Sequence, residues 1–372
     1  MKVLMLTPFY YPPIGGAEVA TEQLALQLNA RNIITDVMTF TSNSFLKPIS
    51  TVKIKGIRVI QVPAINLRPL KFPELIFQVS FFPRIFVELL KDYDILHFQN
   101  DIDLTFPLFS RRVAKPKVFH CRCPAPMFRL YQRNPVSQRL FRNSADIFIV
   151  ISEELVKYIV NLKIPKENVR VVPNGIDTSL FKPSAKKAED ILLFVGRLEP
   201  VKGLHVLLEA LNHVKTRVKL VIIGGRSWHQ EYSDYILNLI EQTKNKSVHE
   251  IIYLGQLKRN QIVEWYQKAS IHVRPDTNGI SGGNTALEAM ACATPVIGTG
   301  NGIIKDKLNG VIVPPNNAVE LAKAIEFLIN NNRVRRKLGE NARKFVEKYY
   351  SFDVVIEKII QIYNEILGKH KN

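Results

Sequence analysis

The residues best suited to chemistry lie in a glycine-rich stretch at positions 274–299, RPDTNGISGGNTALEAMACATPVIGT. Its first part favours turns, and a helix is predicted to begin at Asn284 or Thr285, where good helix formers follow. Glycines let a ligand approach the backbone, and the first N–H groups of a helix have no partner within it. This pattern predicts a diphosphate site. A second interpretation stays open, because Thr285 and Glu288 have the spacing of a capping box that needs no ligand.

A second candidate segment is GRLEPVKG at positions 196–203. Arg197 and Lys202 follow an apolar strand and precede a predicted helix. A guanidinium group and an ammonium group at that position can neutralise a diphosphate. They can equally be exposed loop cations that contribute little to stability. The segment taken alone does not decide between these interpretations.

Polar residues also follow predicted strands in the N-terminal half. A turn containing Gly15 and Gly16 precedes a helix, where backbone N–H groups could meet a phosphate or a sugar hydroxyl. His120 ends one strand and His97 ends an earlier one. Open α/β sheets bind ligands at the carboxyl ends of their strands, which makes His120 a functional candidate and His97 a competitor; a lone histidine is equally often structural. The G-x-G-x-x-G fingerprint of dinucleotide binding is missing.

Repeated strand–loop–helix segments must position these residues. They predict two tandem doubly wound α/β domains, one at residues 1–172 and one at residues 173–351. Two such domains normally bind a ligand in the cleft between them. The apolar-rich window at residues 75–90 is predicted as a helix pair broken near Pro83. On the predicted helix at 332–349, we expect Arg333, Arg335, Arg336 and Lys337 to face solvent.

Composition narrows the class of protein. The 372 residues carry a formal net charge of +18, and three cysteines cannot build a disulfide framework. Cys121 and Cys123 lack the partner pair of a zinc site. The short apolar start has no signal-peptide pattern, and charged residues and a proline interrupt the window at 75–90. We therefore expect a cytoplasmic protein without a cysteine zinc site, a signal peptide or a membrane-spanning segment.

One basic segment stands out from the general positive charge. Residues 111–142 contain nine Lys or Arg residues and no acid, with aromatic residues between them. Such a segment suits an anionic membrane surface, a phosphorylated acceptor or nucleic acid. A solvated face on a basic protein explains it equally well. If it is functional, we expect Arg129, Arg133 and Arg139 to attract an anionic, lipid-linked or phosphorylated acceptor, or the membrane itself.

An ordered set of motifs resembles the family 4 glycosyltransferases of GT-B fold. The motifs run along nearly the whole chain: PFYYPPIGGAE, the strand ending in His120, ADIFIVIS, VVPNGID, GRLEPVKGLHVLLEAL, LVIIGG, IIYLGQL, YQKASIHVRPD and TALEAMACATPVIGT. The resemblance implies two Rossmann-like domains facing a cleft, the first for the acceptor and the second for the donor. It also implies that the last helix, within residues 352–372, crosses back onto the first domain.

The activity that the resemblance implies is retaining, metal-independent transfer of a hexose from a UDP- or GDP-sugar to a glycan or a lipid-linked acceptor. The resemblance assigns Arg197 and Lys202 to the diphosphate, Glu288 to the ribose hydroxyls and His120 to the side of the transferred sugar. His120, Arg197 and Lys202 are thereby the expected catalytic residues. The remaining residues expected at the donor are Gly16, Gly225, Gly255, Leu257, Gly283, Asn284 and Thr285.

One departure from the family pattern concerns the first of two motif glutamates, whose position is Ile280 here. Its absence leaves open the identity of the sugar, and Asp276 is the nearest upstream acid. Three alternatives remain: a sugar-nucleotide epimerase or a phosphorylase of the same fold, a non-catalytic sugar-nucleotide-binding protein, and a nucleic-acid-binding protein that rests on charge alone.

Overall fold

The structure is a computed structural model of the chain. It describes residues 1–7, 10, 16–41, 49–63, 65–66, 78–79, 88, 90–99, 113–122, 134–184, 187–188, 190–227, 230–279, 283–300 and 302–370. The chain divides into two compact units. Unit 1 comprises Met1–Gly175 and Asp353–Asn372, and unit 2 comprises Ile176–Phe352.

Unit 1 is built on an eight-stranded sheet in the order β10-β9-β8-β7-β1-β2-β4-β3. All neighbouring strands are parallel except β3 and β4. A separate two-stranded antiparallel sheet joins β5 and β6. The strands are β1 (Lys2–Thr7), β2 (Ile34–Thr41), β3 (Ser50–Ile54), β4 (Ile57–Pro63), β5 (Ile65–Asn66), β6 (Gln78–Val79), β7 (Ile95–Gln99), β8 (Lys117–Cys121), β9 (Ile147–Val150) and β10 (Val169–Val171).

Unit 2 is built on a six-stranded parallel sheet in the order β13-β12-β11-β14-β15-β16. Its strands alternate between two cores: Leu192 and Phe194 pack into one hydrophobic cluster, and Leu193 packs into the other. Burial on both faces is typical of a parallel sheet covered by helices. The strands are β11 (Ile191–Val195), β12 (Lys219–Ile223), β13 (Glu250–Tyr253), β14 (Ile271–Arg274), β15 (Val296–Gly298) and β16 (Gly310–Ile312).

Helices connect the strands and cover both sheets. Those of unit 1 are α1 (Gly16–Asn29), α2 (Pro135–Arg142), α3 (Glu153–Val160) and α10 (Phe352–Lys369), whose residues from Asp353 onward belong to the unit. Those of unit 2 are α4 (Leu204–Leu211), α5 (Gln230–Lys246), α6 (Arg259–Lys268), α7 (Asn284–Ala291), α8 (Ala318–Asn330) and α9 (Asn332–Tyr349).

The predicted fold class is confirmed: two doubly wound α/β sheets, with the last helix packed in the N-terminal unit. Tyr363 of α10 contacts His97 of β7, and Glu365 pairs with Arg170 at 2.8 Å. Both sheets wind outward from their first strand, so that β1 lies beside β7 and β11 lies beside β14. The direction of winding reverses at these two pairs, where loops diverge and leave room for a ligand.

Two local predictions are wrong. The helix pair at residues 75–90 fails at Gln78–Val79, which is a strand, and most of the remaining window lies outside the described residues. Arg335 does not face solvent. Its guanidinium group is buried and donates to the carbonyl oxygens of Leu328 and Ile329, both at 2.8 Å. The last carbonyl groups of α8 lack partners within their own helix, so a cation there is stabilising.

Candidate functional site

The candidate site in unit 2 lies at the carboxyl ends of β11 and β14. Strand β11 ends at Val195 and leads into the loop at 196–203, while β14 ends at Arg274 and leads into the loop at 275–279. The two strands are neighbours in the sheet although about 80 residues separate them in sequence. The fold therefore brings the two candidate segments of the sequence together.

Gly203 fixes how closely the two loops approach. Its backbone is left-handed, with φ of +67°, and a Cβ atom would lie 1.9 Å from the carbonyl oxygen of Pro275. Only glycine combines this φ with such a close backbone contact without strain. The amide of Thr277 donates to the carbonyl oxygen of Val201 at 3.0 Å, which joins the loops a second time.

An ion cluster fills the space between the loops. The Asp276 carboxylate accepts from the Arg274 Nε atom at 2.6 Å and lies 3.6 Å from the Lys202 Nζ atom. Asp276 is 1% exposed, and Lys202 is 28% exposed. Burial raises the pKa of Asp276, and the two cations oppose that rise. Burial also lowers the pKa of Lys202, and Arg274 adds to that shift, while Asp276 and Glu199 oppose it.

Arg197 lies in the same loop as Lys202, at its exposed side. Its Nη1 atom is 3.2 Å from Glu199, and its side chain is 44% exposed. The side chain therefore remains accessible to a ligand, whereas Lys202 is held deeper, against Asp276. The loop presents two cations at different depths along the sheet edge.

The start of α7 meets the same cluster. Gly283 is the N-cap residue with φ of +134°, and a Cβ atom there would lie 2.8 Å from the Arg274 Nη1 atom. That same guanidinium group lies 3.4 Å from the Thr285 hydroxyl oxygen. Arg274 therefore sits beneath the opening of the helix. A helix start, Arg274 and Lys202 thus lie together, in an arrangement that suits an anion.

The capping-box interpretation of Thr285 and Glu288 is wrong. The helix begins at Asn284, one residue before Thr285, and its N-cap has no side-chain hydrogen bond. Glu288 instead accepts a hydrogen bond from the Tyr266 hydroxyl at 3.0 Å and lies 3.6 Å from Arg259. Burial raises the pKa of Glu288, while Arg259 and the Tyr266 hydroxyl oppose the rise. Its carboxylate therefore does not cap its own helix, and two residues of α6 orient it.

The remaining glycines of the predicted donor site lie at the ends of β12 and β13. Gly225 accepts from the amide of Leu198 at 3.0 Å, and the Gly255 carbonyl accepts from the amide of Gly224 at 2.8 Å. Gly255 is left-handed, with φ of +66°, and a Cβ atom there would meet nothing within 4 Å. Leu257 is half-buried against the second core cluster of unit 2. These residues line the same edge of the sheet as the cation cluster.

His120 and His97 form a buried pair in unit 1. Their rings stack with centroids 5.5 Å apart and an interplanar angle of 5°. The His97 Nδ1 atom is 2.6 Å from the Tyr363 hydroxyl oxygen, and the His120 Nδ1 atom is 3.4 Å from Arg122. Burial and the Arg122 charge lower the pKa of His97 to about 3 and place the pKa of His120 well below its ordinary value. Both imidazoles are therefore neutral at pH 7, and the two competing candidates of the sequence belong to one cluster.

Other predicted residues are placed less fully. Gly16 is exposed at the start of α1, directly after residues outside the described part of the chain. Ile280 lies outside the described residues, as do Arg129 and Arg133 of the basic segment. Arg139 of the basic segment is among the described residues, and it is exposed on α2. Arg122, from the same segment, is not a surface cation, because it is buried and donates to Gln99 at 2.8 Å and to Asn174.

Four residues of the site were not predicted: Arg274, Asp276, Arg259 and Tyr266. The sequence carries one signal for the first pair, because an Arg-x-Asp triplet at the end of a short strand is unusual in a buried position. The second pair has no such signal, since Arg259 and Tyr266 reach Glu288 only through the packing of α6 against α7.

Two family models match the chain. The one described as "Glycosyl transferases group 1" matches residues 176–345, and "Glycosyltransferase Family 4" matches residues 14–180. The chain belongs to the family 4 glycosyltransferases. It is therefore a sugar-transferring enzyme of the GT-B type, as its motifs predicted.

Relatives agree over the full length. The chain is 26% identical to O-antigen chain mannosyltransferase C of Escherichia coli, over 99% of both chains. It is 24% identical to a D-inositol 3-phosphate glycosyltransferase of Xylanimonas cellulosilytica, over 94% of this chain and 91% of that one. The crystal structure of Anabaena HepE in complex with UDP has the same fold, with a TM-score of 0.79 at 20% identity, over 98% of this chain and 100% of that one.

The described part of the chain lacks two features. No described helix has the length and apolar character needed to cross a membrane. In the same part of the chain, no three His, Cys, Asp or Glu side chains come together as metal ligands.

Proposed function

We propose that this glycosyltransferase moves a hexosyl group from a UDP- or GDP-sugar to a glycan or a lipid-linked acceptor, with retention of anomeric configuration and without a metal ion. The observation that carries the proposal is one cluster of contacts. Asp276 pairs with both Lys202 and Arg274, and Arg274 lies against Gly283 at the opening of α7. This arrangement fits the diphosphate of a donor. HepE is described in complexes with UDP and with UDP-glucose, which supports a UDP-sugar donor, and the Escherichia coli relative is named a mannosyltransferase, which supports a hexosyl group.

The chemistry requires charge stabilisation rather than a protein nucleophile. When the bond between the anomeric carbon and the phosphate oxygen breaks, negative charge develops on the leaving diphosphate. Arg197, Lys202 and the first N–H groups of α7 would stabilise that charge in the transition state. Fixed cations at the diphosphate can do the work of a divalent metal, which supports metal independence.

Retention follows in this proposal from attack on the face that the diphosphate leaves. The acceptor hydroxyl oxygen bonds to the anomeric carbon, and its proton passes to the departing phosphate oxygen. No acid residue is needed for that transfer. A neutral His120 suits a hydrogen bond to a sugar hydroxyl better than proton donation, because burial disfavours its charged form.

Glu288 would bind the ribose. A carboxylate accepts hydrogen bonds from two neighbouring hydroxyls, and Tyr266 and Arg259 fix its orientation. The strand ends at Gly225 and Gly255 to Leu257 would lie against the base. Gly16, Asn284 and Thr285 would contact the phosphates or the sugar through N–H and hydroxyl groups.

Thermal-shift measurements with UDP-, GDP- and ADP-sugars identify the donor first, since a ligand that binds only the folded state raises the melting temperature. Transfer to a lipid-linked or glycan acceptor is then measured with and without a metal chelator. Lys202→Ala or Arg197→Ala should lower kcat about 100-fold or more, as the loss of one group that stabilises a developing oxyanion does. Lys244→Ala, on the exposed surface of α5, is the matched control.

Three results would count against the proposal. Full activity in both variants would remove the diphosphate role of the cations. Donor conversion without any acceptor would indicate an epimerase. Nucleotide binding without transfer to any acceptor extract would indicate a non-catalytic binding protein.

A further inference from the structure

Asp276 is the most completely buried acid of the candidate site, and the family resemblance gives it no role. It is 1% exposed and stands between two cations that belong to the loops after different strands. One carboxylate oxygen accepts from the Arg274 Nε atom at 2.6 Å, and the other lies 3.6 Å from the Lys202 Nζ atom. The carboxylate is therefore shared between a guanidinium and an ammonium group.

The backbone holds this carboxylate in place. The amide of Asp276 donates to the carbonyl oxygen of Arg274 at 3.0 Å, and the Thr299 hydroxyl donates to the carbonyl oxygen of Asp276 at 2.6 Å. The next amide, that of Thr277, donates to Val201, the neighbour of Lys202. These three hydrogen bonds fix the backbone that carries the carboxyl group. A carboxyl group held in this way can set the position of a lysine side chain, which has four flexible torsions of its own.

Electrostatics gives Asp276 a second effect on Lys202. The charged groups that face Lys202 are Glu199 from its own loop, and Arg274 and Asp276 from the loop after β14. Burial and Arg274 lower the pKa of Lys202, while Asp276 and Glu199 raise it. Glu199 is also 3.2 Å from Arg197, so its charge is divided between two cations. Asp276 is therefore the acid whose negative charge offsets the effect of the nearby Arg274 on Lys202.

We propose that Asp276 is a positioning residue that holds Lys202 as an ammonium ion at the diphosphate site and keeps Arg274 beneath the opening of α7. Without it, two buried cations would repel each other and the lysine would lose its proton more readily. A neutral amine cannot neutralise a phosphate. The inference rests on the proposed function for the role of the diphosphate, but not for the effect of Asp276 on Lys202.

The test uses Asp276→Asn, which preserves the shape of the side chain and removes its charge. Lysine labelled with ¹³C at Cε reports protonation by NMR, and the signal missing in Lys202→Arg assigns Lys202. We expect the titration midpoint of Lys202 to move to lower pH in Asp276→Asn. Glu250→Gln, which removes the acid of an exposed pair with Lys219, should leave that midpoint in place.

UDP binding gives the second readout. Calorimetry between pH 7.5 and 9.5 avoids the range in which a phosphate changes charge. In Asp276→Asn, UDP affinity should fall more steeply with rising pH than in the unaltered protein, because affinity follows the protonated fraction of Lys202. The double variant Asp276→Asn with Lys202→Arg should bind UDP equally at both ends, because a guanidinium group stays protonated.

The outcomes separate this inference from the function it rests on. If the unaltered protein bound neither UDP nor GDP at any pH, the proposed function would fail, and the NMR titration would still read the effect of Asp276. A melting temperature lowered in Asp276→Asn, with an unmoved Lys202 midpoint and an unchanged pH dependence, would reduce Asp276 to a structural ion pair. The inference would also be overturned if the UDP affinity of the double variant changed with pH.

Discussion

Gly203→Ala tests the claim that backbone contact between two loops builds the site. Gly203 and Gly255 have nearly the same left-handed φ, +67° and +66°. An alanine at Gly203 would place its Cβ atom 1.9 Å from the Pro275 carbonyl oxygen, whereas at Gly255 it would meet nothing within 4 Å. Gly255→Ala is therefore a matched control that carries the same backbone strain without the collision.

The expected magnitudes follow from these distances. A non-glycine residue in the left-handed region costs about 1 to 2 kcal/mol, and both variants share this cost. Gly203→Ala must also relieve an overlap of about 1.5 Å, and forced overpacking costs about 1 to 3 kcal/mol. The shift breaks the hydrogen bond between Thr277 and Val201, which is worth about 1 kcal/mol. In total we expect about 3 to 6 kcal/mol for Gly203→Ala.

Thermal unfolding followed by circular dichroism measures the difference. For a unit of this size, 1 kcal/mol lowers the melting temperature by about 2 to 4 °C. Gly255→Ala should therefore lose a few degrees and Gly203→Ala on the order of 10 °C. Calorimetry should show that Gly203→Ala also loses UDP affinity, because Lys202 and the loop after β14 move apart. Equal melting temperatures for the two variants would refute the close approach.

Three further outcomes test other parts of unit 2. Tyr266→Phe removes the hydrogen bond to the buried Glu288, and calorimetry should show UDP affinity reduced several-fold; unchanged affinity would separate Glu288 from the ribose. Arg335→Met leaves two terminal carbonyl groups of α8 unpaired and should lower the melting temperature by several degrees without changing UDP affinity. Glu326, whose pKa is lowered by hydrogen bonds from Thr216 and Lys215, stabilises the fold above its unfolded pKa. That stability is lost as pH falls through the folded value, so urea unfolding below about pH 4.5 should converge for the unaltered protein and Glu326→Gln.

Hydrophobic periodicity was enough to predict the central strands. Strands such as β9 and β11 are the continuous apolar runs IFIV and ILLFV, which is the pattern that predicts a buried strand. The hydrophobic pattern did not mark elements in which few residues are buried. In Ser50–Ile54 all five residues are exposed or half-buried because the strand forms the sheet edge, so no apolar run marks it. The limits of the 17-residue helix α5 are weakly marked in the sequence, because three of its residues are fully buried: Ser233, Ile236 and Ile240.

Candidate residues were predictable where they follow a strand, and not where they depend on packing. Arg197 and Lys202 could be proposed because a strand and a helix flank them in sequence. The pairing of Lys202 with Asp276 requires that β11 and β14 be neighbours, which no local pattern shows. Likewise Glu288 had a local explanation as a cap, and the structure replaced it with a contact from α6.

Both sheets wind outward from their first strand, yet the polar residues at the carboxyl ends of their strands differ in charge. At β11 and β14 the loops present Arg197, Lys202 and Arg274 with a helix opening, so that this edge favours an anion. In unit 1, β7 and β8 carry the neutral pair His97 and His120, whose Nε2 atoms have no hydrogen-bond partner among the described residues. A buried polar atom without a partner costs free energy unless a ligand supplies one. A neutral imidazole pair suits the hydroxyl groups of a ligand, whereas a cation cluster suits phosphates.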